Sequence, residues 1–458
     1  MHPIDNNSKY TEFRKVYKKF YYESFSYQKG NKDFKITYCF RIDNEFVFNP
    51  VITIPYRDFY RFENVSESLL QSLIFHIGMI ELISYWKAVC PIQLIIKPYK
   101  LSEEQILWWK KLYFFGLAEF FYLNSIQADI NNFVQILSES GSIPIKSIFS
   151  TDGSCIVPVG GGKDSVVTLE LLKKLYEVTP MVINPRRATD ACIEVAGYPI
   201  NKCIIVSRTI DPLLLTLNEK GFLNGHTPFS AMLAFVSLLT AIISGKGMVA
   251  LSNEASANES TIVGLKINHQ YSKSFEFEKD FREYVEKFIV SEINYHSFLR
   301  PLQELQIACL FAKQEKYFPV FKSCNSGSKS DIWCCNCSKC LFAFIILSPF
   351  ITKDKMNEIF GDNLLNKPTM QIYFNQLSGT ESIKPFECVG TIEEVNLALC
   401  MIIEKYDRPL PYLLKRYVVS KNFQKYKKIN PLLIMKSFEK ENFLNAEEIS
   451  LLKTTLSC

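Results

Sequence analysis

Six consecutive residues, Gly160-Gly161-Gly162-Lys163-Asp164-Ser165, combine what a polyphosphate site needs. Three glycines in a row let a backbone approach a ligand closely and take positive φ at little steric cost. The run from Cys155 reads as a strand, and Ser165 opens a helix expected to extend through Tyr176. The free N–H groups at such a helix start, with its dipole, seat phosphate oxygens. Lys163 adds a point charge. A Walker loop is excluded, because it needs four residues between its glycines and a Gly-Lys-Ser/Thr ending. The bland alternative is a glycine turn; strand, loop and helix together favour the anion seat.

Other clusters surround this one in sequence. A strand over Pro180–Ile183 runs into Asn184-Pro185-Arg186-Arg187, and one over Met248–Leu251 runs into Ser252-Asn253-Glu254. Each polar end, with Asn184 in one and Asn253 in the other, is either a loop cap or a ligand contact. Two of the five histidines, His226 in Asn224-Gly225-His226-Thr227-Pro228 and His269 in Asn268-His269-Gln270-Tyr271-Ser272-Lys273-Ser274, sit among polar, turn-like residues. Each is either a structural hydrogen bonder or an active-site group. Cys324, Cys334, Cys337 and Cys340 follow a C-x9-C-x2-C-x2-C pattern that suits a closed, structural zinc site. Cys335 leaves the choice of ligands open, and buried free thiols are the alternative.

These residues need elements to hold them. Residues 1–150 mix alternating runs (Phe34–Phe40, Phe46–Ile54) with helical ones (Glu67–Lys87, Glu103–Phe121) and read as an α+β region. Residues 151–350 alternate short apolar runs with helix-like segments, the pattern of a parallel α/β sheet. Residues 351–458 read as helical and lysine-rich.

Bulk properties narrow the setting. Hydrophobic residues make up 48% and charged ones 22% of 458, enough for a sizeable core. A net charge of +5 without a basic arm argues against a nucleic-acid partner. The longest apolar run, Phe229–Ser244, is shorter than the roughly 20 residues that span a bilayer and reads as a buried helix. The polar, aromatic N-terminus reads as no secretory signal. Fourteen cysteines then point to a reducing compartment, the cytoplasm. No membrane partner is expected, and the oligomeric state is not legible.

The glycine loop resembles the modified loop of the PP-loop ATP pyrophosphatases, usually Ser-Gly-Gly-x-Asp-Ser, with Gly160 in place of the first serine. That resemblance implies an adenine nucleotide alpha hydrolase-like core, ATP cleaved to AMP and pyrophosphate, and Asp164 near magnesium. Together with Gly-His-Thr-Pro at 225–228, Ser-Asn-Glu-x-Ser-Ala at 252–257, Asn-His-Gln-Tyr-Ser-Lys-Ser at 268–274 and Lys-Pro-Phe-Glu-Cys-Val-Gly at 384–390, the chain resembles the UDP-N-acetylmuramoyl-L-alanyl-L-glutamate epimerases. Trp108-Trp109 and Gly116-Leu117-Ala118-Glu119-Phe120 extend the likeness. It implies ATP-dependent inversion of the terminal L-glutamate of a nucleotide-linked dipeptide, a step in peptidoglycan synthesis. His226, Glu254, His269 and Lys273 are then candidates for proton transfer, with Cys388 a further possibility. The cysteine cluster resembles one in deazapurine nitrile synthases. Such a synthase, a tRNA-modifying PP-loop enzyme, or a zinc-ribbon nucleic-acid-binding module (through Lys415–Lys428) are the rival readings.

Overall fold

The computed structural model describes residues 4–142, 146–261, 268–327 and 330–456. The chain is an α/β protein in which parallel and antiparallel strand pairs both occur. It forms two compact units, each assembled from separate stretches of sequence.

The first unit comprises Met1–Ile156, Ile204–Val249 and Gln270–Tyr295. Its strands are β1 (Lys19–Lys29), β2 (Asp33–Ile42), β3 (Phe46–Phe48), β4 (Val51–Pro55), β5 (Gln93–Ile96) and β6 (Gln135–Ser138). In β2, Phe34, Ile36, Tyr38, Phe40 and Ile42 are all fully buried, the period of two that the pleat requires. β2 pairs antiparallel with β1, β3 and β4, and β1 pairs parallel with β5, which pairs parallel with β6. The alternating run 46–54 splits at Asn49-Pro50, where proline supplies no N–H to a ladder. The helix expected over 67–87 ends at Glu81 and is followed by a short helix, Ile83–Trp86. That over 103–121 breaks at Gly116, where a Cβ would lie 2.7 Å from the Pro228 ring.

β7 (Asp152–Pro158) opens the glycine-loop segment, followed by β8 (Val178–Ile183), β9 (Ile204–Thr209), β10 (Lys246–Leu251) and β11 (Asn294–Ser297). β9 pairs antiparallel with β4, and β10 runs parallel to β7 with Met248 opposite Cys155. The run Phe229–Ser244 is a buried helix ended by Gly245 at φ 71, a left-handed C-cap. The stretch Glu67–Trp86 is long and apolar enough to cross a membrane, but 89% of its most apolar 18-residue window is buried inside the fold, as in a core helix.

The second unit comprises Val157–Cys203, Ala250–His269 and His296–Cys458. It holds β8 and the helices Lys163–Leu172, Arg187–Val195, Glu304–Ala312, Ser338–Leu347 and Ile392–Lys405, among others. The last is fixed at its start by a capping box between Thr391 and Glu394. A buried pair, His296 Nε2 to Glu448 Oε1 at 3.0 Å, anchors the helix Ala446–Leu456.

Candidate active site

The glycine loop leaves β7 at Pro158 and turns into the helix Lys163–Leu172, two residues earlier than Ser165 and ending before Tyr176. Val159 N–H donates to Met181 C=O at 2.8 Å, which sets the loop beside β8. Gly161 has φ +80, and a Cβ there would stand 3.1 Å from the Ala188–Thr189 backbone, so only glycine fits. Its carbonyl accepts from Lys322 N at 2.8 Å. Gly162 is the N-cap and no side chain caps the helix. A helix start of this kind offers N–H groups to an anion. The Ser165 hydroxyl donates to Gly162 O at 3.0 Å.

Lys163 turns inward. Its side chain is 8% exposed, and its ammonium contacts Asp164 Oδ1 at 2.5 Å and the carboxylate of Glu304. Burial alone would lower its pKa, but the two carboxylates hold it well above the ordinary value, so Lys163 stays charged. Glu304, the first residue of its helix, is missed by sequence reasoning because nothing in Gln303-Glu304-Leu305 marks it. Burial and the nearby Asp164, Glu254 and Glu394 raise its proton affinity, while Lys163 opposes them.

The polar strand ends fall as follows. Asn184 takes φ 52 after β8 and starts the turn into Arg187–Val195. Asn253, after β10, donates through Nδ2 to Ser297 Oγ at 3.0 Å. Glu254 is buried, accepts the Ser256 hydroxyl at 3.0 Å, and its carbonyl accepts from Arg300 at 2.9 Å.

Two motifs read separately in the sequence meet in the second unit. The Lys384 ammonium contacts Glu259 and donates to Gly390 O at 2.9 Å, while Lys384 N–H donates to Thr261 O at 3.2 Å. His269 N–H donates to Thr261 Oγ1 at 3.0 Å, and its ring lies 6.5 Å from that of Phe386 at 75°. Asn268 Nδ2 donates to Ala257 O at 2.9 Å. Burial pushes the Glu387 carboxyl up, with Lys339 opposing, and Glu387 accepts from Asn325 at 2.6 Å. Gly390 brings this knot to Glu304, whose Cγ lies 3.1 Å from where a Cβ on Gly390 would stand. Residues 262–267, which precede the His269 motif, lie outside the described residues.

In the first unit, His226 is partly exposed, with Nδ1 3.7 Å from Glu119 Oε2. Lys273 closes the short helix Tyr271–Lys273 and is half-buried.

The sulfur atoms of Cys324, Cys334, Cys337 and Cys340 all lie within 4.8 Å of one another. Cys324 and Cys337 are 3.9 Å apart, and Cys334 and Cys340 3.7 Å. Four sulfurs about 2.3 Å from a tetrahedral zinc stand about 3.8 Å apart, so the donor set fits that ion. Cys335 takes φ 50 and directs its thiol to Phe360 O at 3.0 Å, away from the group. A hydrogen bond from Cys340 draws the Cys337 thiol down to about 5 against the effect of burial.

Comparisons with known proteins agree along most of the sequence. Residues 11–298 match the family described as MurL N-terminal domain, and residues 320–429 match the MurL C-terminal domain. A protein of Salinispora tropica is 36% identical over 331 residues, covering 70% of this chain and 71% of its own. One of Micromonospora sp. is 35% identical over 374 residues, covering 79% and 81%, and one of Xanthomonas oryzae pv. oryzae is 33% identical over 345, covering 73% and 75%. All three are named UDP-N-acetyl-alpha-D-muramoyl-L-alanyl-L-glutamate epimerase. No solved structure matches the chain. The chain is therefore an epimerase by class, an isomerase on an α/β scaffold. It belongs to the MurL family of UDP-N-acetyl-alpha-D-muramoyl-L-alanyl-L-glutamate epimerases.

Proposed function

We propose that the chain inverts the terminal L-glutamate of UDP-N-acetylmuramoyl-L-alanyl-L-glutamate to D-glutamate through an acyl-adenylate, consuming ATP and releasing AMP and pyrophosphate. The observation that carries the ATP step is the uncapped helix start at Gly162 behind three glycines. Its N–H groups suit the leaving pyrophosphate, as a PP-loop core requires. Asn184 and Asn253 follow strand ends, where nucleotides bind in open α/β sheets. Asp164 would hold magnesium, which when bound offsets charge on the departing phosphates.

The chemistry explains the need for activation. A free carboxylate resists loss of its α-proton, because the carbanion would sit beside a negative charge. Attack of the carboxylate oxygen on the α-phosphorus of ATP expels pyrophosphate and removes that charge. The acyl carbonyl then takes up the electron pair when a base removes the proton. Return of a proton to the other face inverts the centre, and water releases AMP and the free acid. Proton transfer by a positioned side chain contributes about 10²–10⁴-fold. Candidates are His226, Glu254, His269 and Lys273.

Cys324, Cys334, Cys337 and Cys340 would hold a structural zinc that ties the 324–340 segment to the buried helix Ser338–Leu347. A UDP-linked substrate, ATP and a chain with 14 cysteines suit a cytoplasmic enzyme. Family membership supports this reading over the nitrile-synthase, tRNA-modifying and zinc-ribbon alternatives.

The test is AMP release with ATP, magnesium and the dipeptide nucleotide. Wild-type protein should form AMP and the D-glutamyl product together, and Asp164→Ala or Ser165→Ala should abolish both while remaining folded. Near wild-type turnover in either variant moves the nucleotide site elsewhere.

A further inference from the structure

The loop Asn224-Gly225-His226 is held more firmly than a surface turn requires. Lys87, buried, donates to Asn224 Oδ1 at 3.0 Å and to Gly225 O at 2.6 Å. Asn124 Nδ2 donates to Asn224 O at 3.1 Å. A Cβ on Gly225 would stand 3.0 Å from the Phe120 ring, so the loop lies directly on the short helix Ala118–Leu123. That helix also carries Glu119, whose side chain is only 7% exposed although it is acidic. The groups anchoring the loop converge on one outcome, the placement of the His226 ring against this carboxylate.

We propose that Glu119 is a positioning residue for His226, and that His226 is one of the two groups that exchange the substrate's α-proton. The inference rests on the epimerase reading above and goes further by selecting one proton carrier and its partner. Glu119 Oε2 lies 3.7 Å from His226 Nδ1, within ion-pair reach and longer than a hydrogen bond. Catalytic contacts of this kind often tighten only when substrate binds. A buried carboxylate at Nδ1 holds the proton there and leaves Nε2 as the exchanging atom. His226 itself is 30% exposed, so its ring is reachable.

The step balances. Neutral Nε2 takes the α-proton of the activated glutamyl group, and the electron pair passes into the acyl carbonyl. A second group delivers one proton to the opposite face; in the reverse direction the roles exchange. Glu119 stabilises the imidazolium that forms. Among the described residues of this unit, two lysines also reach the loop: Lys87, which donates to Asn224 and Gly225, and Lys9, which donates to Gly221 O at 2.9 Å. Neither lysine favours the imidazolium, whereas the Glu119 carboxylate does.

The experiment is an NMR titration of the full chain labelled at histidine, with His226→Asn assigning the signal. His226 should titrate above the ordinary value of about 6.5, and Glu119→Gln should lower it by about one unit or more. In turnover, the acid limb of α-deuterium uptake should move down with it, and the ratio of uptake to AMP release should fall. An unmoved titration or an unmoved acid limb overturns the proposal. If Glu119→Gln does not fold, a wild-type His226 titrating below 6.5 overturns it and one titrating above supports it. The titration needs no substrate, so a wild-type protein that forms no AMP and takes up no deuterium refutes the epimerase reading separately.

Discussion

Lys163 and Glu304 stand 141 positions apart in sequence, yet their side chains form a buried ion pair that ties the helix behind the glycine loop to the helix Glu304–Ala312. The lysine adjoining the loop is thus held from within by a carboxylate, and the loop's shape depends on a residue outside it.

Removing one partner of a buried pair costs about 3–5 kcal/mol, whereas replacing both with apolar groups is often near neutral. Glu304→Ala should therefore lower unfolding free energy by about 3 kcal/mol, at the low end because Asp164 still faces the ammonium. The double variant Lys163→Met/Glu304→Leu should recover much of that loss yet form no AMP. Urea unfolding of the wild type, Lys163→Met, Glu304→Leu and the double decides the point. Additive losses would mean that the two side chains are not energetically coupled.

The cysteine geometry predicts about one zinc per chain, with unequal roles for neighbouring thiols. Cys337→Ser should lower metal content and melting temperature, since structural zinc contributes folding free energy. Cys335→Ser should keep the metal, because that thiol bonds Phe360 O instead. Metal analysis of freshly purified protein separates the cases. Zinc-free protein whose stability a chelator does not change would remove the site.

His76 predicts a pH dependence of stability. Tyr284 Oη accepts from Gln105 and Trp109, so its proton is left for His76 Nε2, while Nδ1–H reaches Ser72 O at 2.6 Å. Burial lowers the His76 pKa to about 4, against the ordinary value of about 6.5. Between those values the unfolded chain binds the extra proton, so stability increases with pH and is lost as pH falls from about 6.5 toward 4. The loss should be on the order of 3 kcal/mol. Denaturant unfolding at pH 7 and pH 4.5 should show a smaller difference for His76→Gln than for wild type; equal differences would exclude His76 as the source.

What the sequence disclosed depended on whether the signal was local. Glycines at 160–162 and the alternation in β2 are local patterns, and the loop and strand stand where they imply. Helix bounds shifted where a tertiary contact intervened, as at Gly116 against Pro228. Glu304 carries no local signature, and Glu119 stands in the 116–120 motif with nothing to mark its partner; each matters through a residue more than 100 positions away. The 252–257 and 384–390 segments were each visible as motifs, but only folding joins Lys384 to Glu259, two residues past the first. The exclusion of Cys335 from its cluster turns on one left-handed backbone angle that spacing does not encode.

The decisive prediction concerns the proton itself. Inversion through an acyl-adenylate requires the α-hydrogen of the terminal glutamate to leave and a solvent hydrogen to replace it. In heavy water, with UDP-N-acetylmuramoyl-L-alanyl-L-glutamate, the D-glutamyl product should carry deuterium at that carbon. Uptake should require both ATP and magnesium, since without activation the carbanion has nowhere to place its charge. His269 is the informative variant, for its backbone is tied to Thr261 while its ring stands near Phe386. His269→Ala should still form AMP while its deuterium uptake falls by about 10²-fold or more, the loss expected for a proton-transfer group. If AMP formation and uptake both persist, His269 serves only to shape the turn that Lys384 and Thr261 hold. If wild-type protein consumes ATP with the dipeptide nucleotide but shows neither deuterium uptake nor inversion, adenylation stands and the epimerase mechanism does not.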